Sequence, residues 1–153
     1  MRPLKIVVIS DTHGQKEIIK NIALIEYDAD YYFHLGDSEL FPCDIEPFAS
    51  VQGNRDYPGL YPESRKIKTP YGNIFMEHGL KLCSIGTNYA YAQDCLIYLF
   101  GHTHSHIVSQ LDGKHYIANP GSLTRPRDGT NGTYLVIKKK KKGPLFKFKS
   151  TSD

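Results

Sequence analysis

The chain has 153 residues, of which 40% are hydrophobic and 23% are charged, and its formal net charge at pH 7 is +3. These ordinary globular values exclude a disordered chain and a fibrous repeat, and the length predicts a single domain spanning residues 1–153. Five consecutive lysines, residues 138–142, supply the positive excess, because the remainder carries +3 − 5 = −2. The charge therefore does not indicate a nucleic-acid-binding surface over the whole protein.

The first predicted element is a strand over residues 4–10, whose apolar run LKIVVIS is typical of a strand buried on both faces. This run is too short to cross a membrane or to form a signal sequence, so we expect a cytoplasmic protein without a membrane partner. Isoleucines at helical spacing then predict a helix over residues 15–26. The three cysteines are too far apart to indicate a disulfide framework or a zinc knuckle, and we interpret them as core residues: Cys43, Cys83 and Cys95.

Strands alternate with helices in the first part of the chain, whereas most of the later strands are predicted to pair in hairpins. Strands are predicted over residues 30–35 and 48–52, each stopped by a polar turn. A hairpin is predicted over residues 66–69 and 73–77 around Pro70-Tyr71-Gly72, followed by a helix over 88–94 and a strand over 96–100. Two further hairpins are predicted, over 107–111 with 114–118 around Asp112-Gly113 and over 133–139 with 145–149 around Gly143-Pro144. This order predicts a mixed α/β layered domain with more than one sheet.

Potential metal ligands directly follow most of the predicted strands: Asp11, His13, Asp37, Asn54, His78, His102 and His104. Loops at the carboxyl ends of neighbouring parallel strands converge, so we expect these seven side chains to meet. Two pairs stand at i and i+2, which would place both members on one side of an extended segment. Carboxylates, imidazoles and one amide suit Mn, Fe, Ni, Co or Zn, and seven ligands indicate two ions that share a carboxylate.

Five ordered motifs resemble those of the calcineurin-like metallophosphoesterases: Asp11-Thr12-His13, Gly36-Asp37, Gly53-Asn54, His78-Gly79 and Gly101-His102-Thr103-His104. The later Asn119-Pro120-Gly121-Ser122 is similar to the small phosphodiesterase branch of bacteria and archaea, and the resemblance covers residues 4–149. It implies a four-layer α/β/β/α sandwich of two mixed sheets flanked by helices. It also implies hydrolysis of a small-molecule phosphate ester, most often a diester, by hydroxide activated between two divalent ions, with Mn²⁺ the foremost choice.

The resemblance assigns a role to each motif residue. Asp11, His13 and His104 would hold the first ion, and Asn54, His78 and His102 the second. Asp37 would bridge the two ions. The catalytic set would comprise Asp37, Asn54, Arg55, Asp56 and His78, with Asp56 orienting its neighbours.

Arg55 departs from the family pattern. The wider family often has a histidine after the asparagine, where it helps to expel the leaving group, and the small branch often has a cysteine. A guanidinium is no acid near neutral pH, but it can bind phosphate oxygens. We therefore expect better turnover of activated esters.

Several residues have a structural interpretation that competes with a functional one. We expect His34 to be a core or supporting residue, and His106 and His115 to lie outside the ligand set. Arg125 and Arg127 could reach substrate phosphates, although arginines beside a proline in a loop are more often solvated. We interpret residues 138–142 as part of a solvated hairpin at a sheet edge, with attachment to RNA or acidic lipid as the alternative.

The alternatives to a phosphodiesterase are a phosphomonoesterase and a non-catalytic metal-binding scaffold for protein interactions. The scaffold hypothesis is based on the eukaryotic retromer subunit, which resembles the small branch and mainly binds proteins. A complete ligand set favours catalysis. The chain has few residues with which to build a lid between the motifs, which predicts a shallow, open site, and a homodimer is left open.

Overall fold

The computed structural model describes residues 3–80, 93–111 and 114–150. The elements in chain order are β1 (Leu4–Ile9), α1 (Lys16–Ile25), β2 (Tyr31–His34), a 3₁₀ turn (Pro42–Asp44), β3 (Ala49–Ser50), β4 (Ser64–Thr69), β5 (Gly72–Glu77), β6 (Ile97–Leu99), β7 (Ile107–Gln110), β8 (Tyr116–Asn119), β9 (Tyr134–Lys140) and β10 (Gly143–Lys149). The turn predicted at 112–113, Cys83 and most of the helix predicted over 88–94 lie outside the described residues.

The described strands form two five-stranded sheets. The first has the order β10-β9-β1-β2-β3, and the second has the order β4-β5-β6-β8-β7. In the first sheet β1, β2 and β3 are parallel, whereas β9 and β10 are antiparallel to their neighbours. In the second, β5, β6 and β8 are parallel, and both edge strands are antiparallel. The predicted fold class, with two mixed sheets, is therefore confirmed.

Strand β1 lies at the centre of the first sheet and contributes to two cores. Ile6 and Val8 pack between the two sheets, in the same cluster as apolar residues of β5, β6 and β8. Val7 and Ile9 point to the opposite face, where they pack under α1. All four are at most 1% exposed, which confirms the prediction of a strand buried on both faces. A third cluster, which includes Phe75 and Tyr98, covers the outer face of the second sheet.

Local differences from the expected elements concern strand ends. Strand β3 has only two residues, and the last turn is at residues 141–142, because Gly143 already pairs with Lys140. The lysine run is therefore carried by β9, the second strand from the edge, and by the turn, whereas β10 is the edge strand. Lys139 is only 8% exposed and lies over the ring of Tyr71, 5.1 Å from its centroid, so the expectation of solvated lysines is wrong at this position.

None of the helices in the described ranges combines the length and the apolar character needed to cross a membrane.

Candidate metal centre

The carboxyl ends of the parallel strands in both sheets meet at one edge of the sandwich. Backbone hydrogen bonds join the loops that leave these strands. The Asp11 amide donates to the Gly36 carbonyl at 3.0 Å, the His13 amide to the Asp37 carbonyl at 3.0 Å, and the Gly101 amide to the His78 carbonyl at 2.8 Å. The predicted ligand loops are therefore in direct contact, as the strand order requires.

The backbone conformation of these loops differs from the expected extended one. The φ angle is positive at five of the seven predicted ligands: Asp11 (54°), His13 (46°), Asp37 (62°), His102 (71°) and His104 (59°). Aspartate and histidine enter this left-handed region more readily than most residues other than glycine. The prediction of extended segments at the two i, i+2 pairs is therefore wrong, because all four residues have a left-handed conformation.

Two groups of side chains converge closely enough to bind cations. Asp11, His13 and His104 form one group, and Asp11, Asp37 and His78 form the other, with the ligand atoms of each group within 4.8 Å of one another. The Nε2 atoms of His13 and His104 are 3.4 Å apart, and Asp11 Oδ1 lies 3.3 Å from His104 Nε2. Asp11 thus belongs to both groups.

Asn54 and His102 lie beside the second group. The Oδ1 atom of Asn54 is 3.0 Å from His78 Nε2, and the His78 and His102 rings are 5.1 Å apart. A surface cavity of about 220 Å³ exposes most of the predicted ligands to solvent; it is lined by His13, Asp37, Asn54, Arg55, His102, His104, Arg125 and Arg127. All seven predicted ligands are therefore brought together.

Three imidazoles are held by their Nδ1 atoms with Nε2 directed into the centre. The acceptor of each Nδ1 is an oxygen: Glu39 Oε2 for His13 at 3.0 Å, Arg125 carbonyl for His104 at 2.7 Å and Leu35 carbonyl for His78 at 2.7 Å. Because these oxygens only accept, the hydrogen-bond network assigns the proton to Nδ1 and leaves the Nε2 lone pair available to a cation. This tautomer is the one that a metal site requires.

Asp11 has one oxygen that the described part of the chain leaves unpaired. Its Oδ2 accepts hydrogen bonds from the Ser10 hydroxyl and from the His102 amide, whereas the buried Oδ1 accepts none. A buried, unpaired carboxylate oxygen is costly, and a cation would compensate it. The Ser122 hydroxyl donates to the Asp11 carbonyl at 2.7 Å, so the Asn-Pro-Gly-Ser motif supports a ligand loop.

The charges around the centre favour a positive group there. The Asp11 carboxylate raises the pKa of His104. Burial opposes protonation of His78, but the carboxylates of Asp37 and Asp11 outweigh it and raise the pKa of His78. Burial likewise opposes ionisation of Asp37, but His78 outweighs it, so the pKa of Asp37 is lowered. Divalent cations replace such protons when they bind, so the donor set fits them.

Two buried residues, His34 and Asp56, stabilise the ligand loops by accepting hydrogen bonds from their backbone amides. His34 is fully buried, which lowers its pKa to about 4, and its Nδ1 accepts the Gly36 amide at 3.0 Å, as expected for a supporting residue. Asp56 accepts the amides of Asp37 at 2.9 Å, Gly53 at 2.8 Å and Glu39 at 2.8 Å. Glu39, which accepts the hydrogen bond from His13 Nδ1, was not among the predicted residues, although an acid two residues beyond Asp37 in a polar loop was a signal for it.

The loop after β8 carries two arginines to the cavity. Arg125 and Arg127 are exposed, as the sequence pattern favoured, and both line the cavity together with Arg55. The Arg127 amide donates to the His104 carbonyl at 2.8 Å, so this loop is joined to a ligand loop. As expected, His106 and His115 are not among the residues that line the cavity.

Comparisons with known proteins identify similar chains. The family model of the calcineurin-like phosphoesterase superfamily domain matches residues 4–142. The chain is 34% identical over 146 residues to a probable metallophosphoesterase of Bacillus subtilis, YsnB, covering 88% of this chain and 83% of that protein. A solved structure of a conserved uncharacterized protein, a predicted phosphoesterase from Streptococcus pneumoniae, has a TM-score of 0.88 at 28% identity, covering 98% and 91% of the two chains. A structure described as a novel archaeal phosphodiesterase shares the fold, with a TM-score of 0.75 at 18% identity, covering 95% and 100%.

Proposed function

This chain belongs to the calcineurin-like phosphoesterase superfamily, and we propose that it is a phosphodiesterase that hydrolyses small phosphate diesters with two divalent metal ions, Mn²⁺ foremost. Membership of this family supports the assignment of the chain as a metal-dependent phosphoester hydrolase. The observation that carries the proposal is that Asp11 belongs to two adjoining groups of potential ligands, with its Oδ1 buried and unpaired among the described residues.

The proposed ligand assignment keeps the first group and takes His78 from the second, to which Asp11 and Asp37 also belong. Asp11, His13 and His104 would hold the first ion, with Asp37 shared between the ions. The second ion would be held by the ligands around the ring of His78, namely Asn54, His78 and His102. The short Asn54 to His78 contact and the His78 to His102 ring distance support this second set.

When bound, the two ions supply a water of lowered pKa and neutralise charge on phosphoryl oxygens. The chain supplies the remaining contacts. Arg55, Arg125 and Arg127 line the cavity, where their guanidinium groups would bind the non-bridging oxygens and stabilise the charge that develops on them. Arg55 cannot donate a proton near neutral pH, so turnover is expected to depend on the leaving group.

Two observations favour a diester over a monoester. The solved structure described as an archaeal phosphodiesterase has the same fold over the whole of its length. In addition, a second cavity adjoins the metal centre at Asn54 and His78, which offers space for a second ester arm. A monoester has no such arm, so we expect the diester to be the better substrate.

The test is hydrolysis of bis-p-nitrophenyl phosphate and p-nitrophenyl phosphate by chelator-stripped protein, with and without Mn²⁺. We expect Mn²⁺-dependent release of nitrophenolate, faster from the diester. Asp37→Asn should lower kcat at least about 100-fold and weaken binding of both ions, because the shared carboxylate loses its charge. Asp94→Asn, at a side chain 94% exposed, is the matched control and should behave as the wild type.

Full activity of Asp37→Asn with two bound ions would overturn the ligand assignment. Lack of turnover of either ester, with two ions bound and the fold intact, would instead favour the non-catalytic scaffold. In that case a partner protein retained equally by the wild type and by Asp37→Asn would be the next observation to seek.

A further inference from the structure

A second cavity, of about 200 Å³, opens next to the metal centre. It begins at Asn54 and His78, and its walls include Glu63, Ser64, Glu77 and Leu80. Asn54 lines both this cavity and the one over the metal centre, so the two cavities are neighbours. A molecule that contacts the predicted ligands can therefore extend into the second cavity.

Glu77, the last residue of β5, is buried in the wall of this cavity without a hydrogen bond to its Oε1. The residue is 5% exposed, and no donor in the described part of the chain reaches that oxygen. Even Ser64, its register partner on β4, does not donate to it. A buried acceptor that folding leaves unpaired is unfavourable, and its persistence needs an explanation such as a ligand.

The two neighbouring cavities have opposite charges. The cavity over the metal centre has three arginines in its lining, Arg55, Arg125 and Arg127, and suits a phosphoryl group. The second cavity has two carboxylates, Glu63 and Glu77, and no lysine or arginine among its described lining residues. An anionic group is therefore disfavoured in the second cavity, and a group that donates hydrogen bonds or carries positive charge is favoured.

We propose that this acidic cavity binds the alcohol arm of the diester substrate and selects arms that carry an ammonium or hydroxyl donor, which Glu77 Oε1 accepts after rotation of the Glu77 side chain, because that oxygen is fully buried in the free protein. This inference rests on the proposed phosphodiesterase function and names the class of substrate. An arm without a donor leaves the buried carboxylate oxygen unpaired, and sites built to pair with a donor reject analogues that lack it. Selectivity thus comes from a contact that the protein cannot make by itself.

The experiment compares three 4-nitrophenyl phosphate diesters whose second arm is 3-aminopropyl, 3-hydroxypropyl or propyl. With the Mn²⁺-loaded wild type, we expect kcat/KM to be at least about tenfold higher for the donor-bearing arms than for propyl, mainly through KM. The aminopropyl and hydroxypropyl arms distinguish an ammonium from a hydroxyl ligand. Nitrophenolate release reports all three reactions with the same leaving group.

The variant Glu77→Met removes the acceptor and keeps a side chain of similar length, and we expect it to bring the three kcat/KM values to within about twofold. Glu77→Gln keeps an acceptor oxygen and should retain part of the preference for the hydroxypropyl arm. Glu17→Gln, on the exposed side of α1, is the control and should leave the ratio unchanged. Thermal unfolding and metal stoichiometry check that each variant folds.

The outcomes separate this inference from the function on which it rests. Equal kcat/KM values for all three esters in the wild type, or an unchanged preference in Glu77→Met, would overturn the selectivity while the phosphodiesterase function stands. Absence of Mn²⁺-dependent nitrophenolate release from every ester would overturn the function itself.

Discussion

At the scale of single residues, the imidazoles of the candidate centre are oriented by different kinds of acceptor. His78 and His104 donate to backbone carbonyls, whereas His13 donates to the side chain of Glu39 at 3.0 Å. A side-chain acceptor can be removed by substitution while the backbone is left intact. Glu39 is therefore the position at which the effect of orientation on metal binding can be measured.

We expect Glu39→Ala to weaken the binding of one of the two ions by roughly 10–100-fold, because the His13 ring loses the group that sets its tautomer. Calorimetric titration of stripped protein with Mn²⁺ would show this as one weakened site beside one of unchanged affinity. Glu17→Ala serves as the control. Two sites of unchanged affinity in Glu39→Ala would show that His13 needs no such partner.

At the scale of elements, the loop between β8 and β9 matters because it carries Arg125 and Arg127. The Asp128 carboxylate stabilises this loop through two hydrogen bonds. Its Oδ2 accepts a hydrogen bond from the His106 amide at 2.8 Å, and its Oδ1 accepts one from the Thr130 hydroxyl at 2.6 Å. The first bond joins the loop to the residues that follow His104, and the second lies within the loop. Together they set the distance between the arginines and the candidate ligands.

Loss of the Asp128 contacts should therefore affect substrate binding more than metal binding. We expect Asp128→Ala to raise KM for the nitrophenyl diester about tenfold, with two ions still bound, because the arginines are no longer held in position. Asp128→Asn keeps an acceptor oxygen at Oδ1 and should recover part of the loss. A variant with unchanged KM would show that the arginines do not contact the substrate.

The elements also show which features a sequence can predict. The apolar run of β1 predicted a strand buried on both faces, because few alternatives bury four consecutive apolar residues, Ile6 to Ile9. The order of strand ends predicted which polar residues meet. The left-handed conformation of Asp11 and His104 was not predictable, since no glycine marks those positions. The positions of Arg125 and Arg127 depend on the path of a loop that has no periodic pattern.

At the scale of the whole molecule, Glu26 connects α1 to three strands of the first sheet. It directly follows α1 and is 2% exposed. Its carboxylate accepts the Tyr134 hydroxyl at 2.7 Å and Lys149 Nζ at 2.9 Å, and lies 3.0 Å from Lys5 Nζ. Burial opposes the charge of this carboxylate, but these donors outweigh it and lower its pKa.

We expect Glu26→Gln to lower the free energy of unfolding by about 2 kcal/mol at pH 7, because a buried group loses its charged hydrogen bonds. The lowered pKa means that the wild-type contribution is complete above the usual glutamate pKa of about 4.5 and is lost as the pH falls below it. Urea unfolding at several pH values should therefore show the two proteins converging in acid. A difference that stays constant down to acidic pH would contradict this role.

The opposite charges of the two neighbouring cavities have a consequence for how a ligand arrives. The charged side chains create an electric field across the mouth of the site, with Arg55, Arg125 and Arg127 on one side and Glu63 and Glu77 on the other. A ligand whose own charges are separated in the complementary sense experiences a torque in that field. Such a molecule is turned into the correct orientation while it is still in solution, so fewer of its encounters with the protein are unproductive.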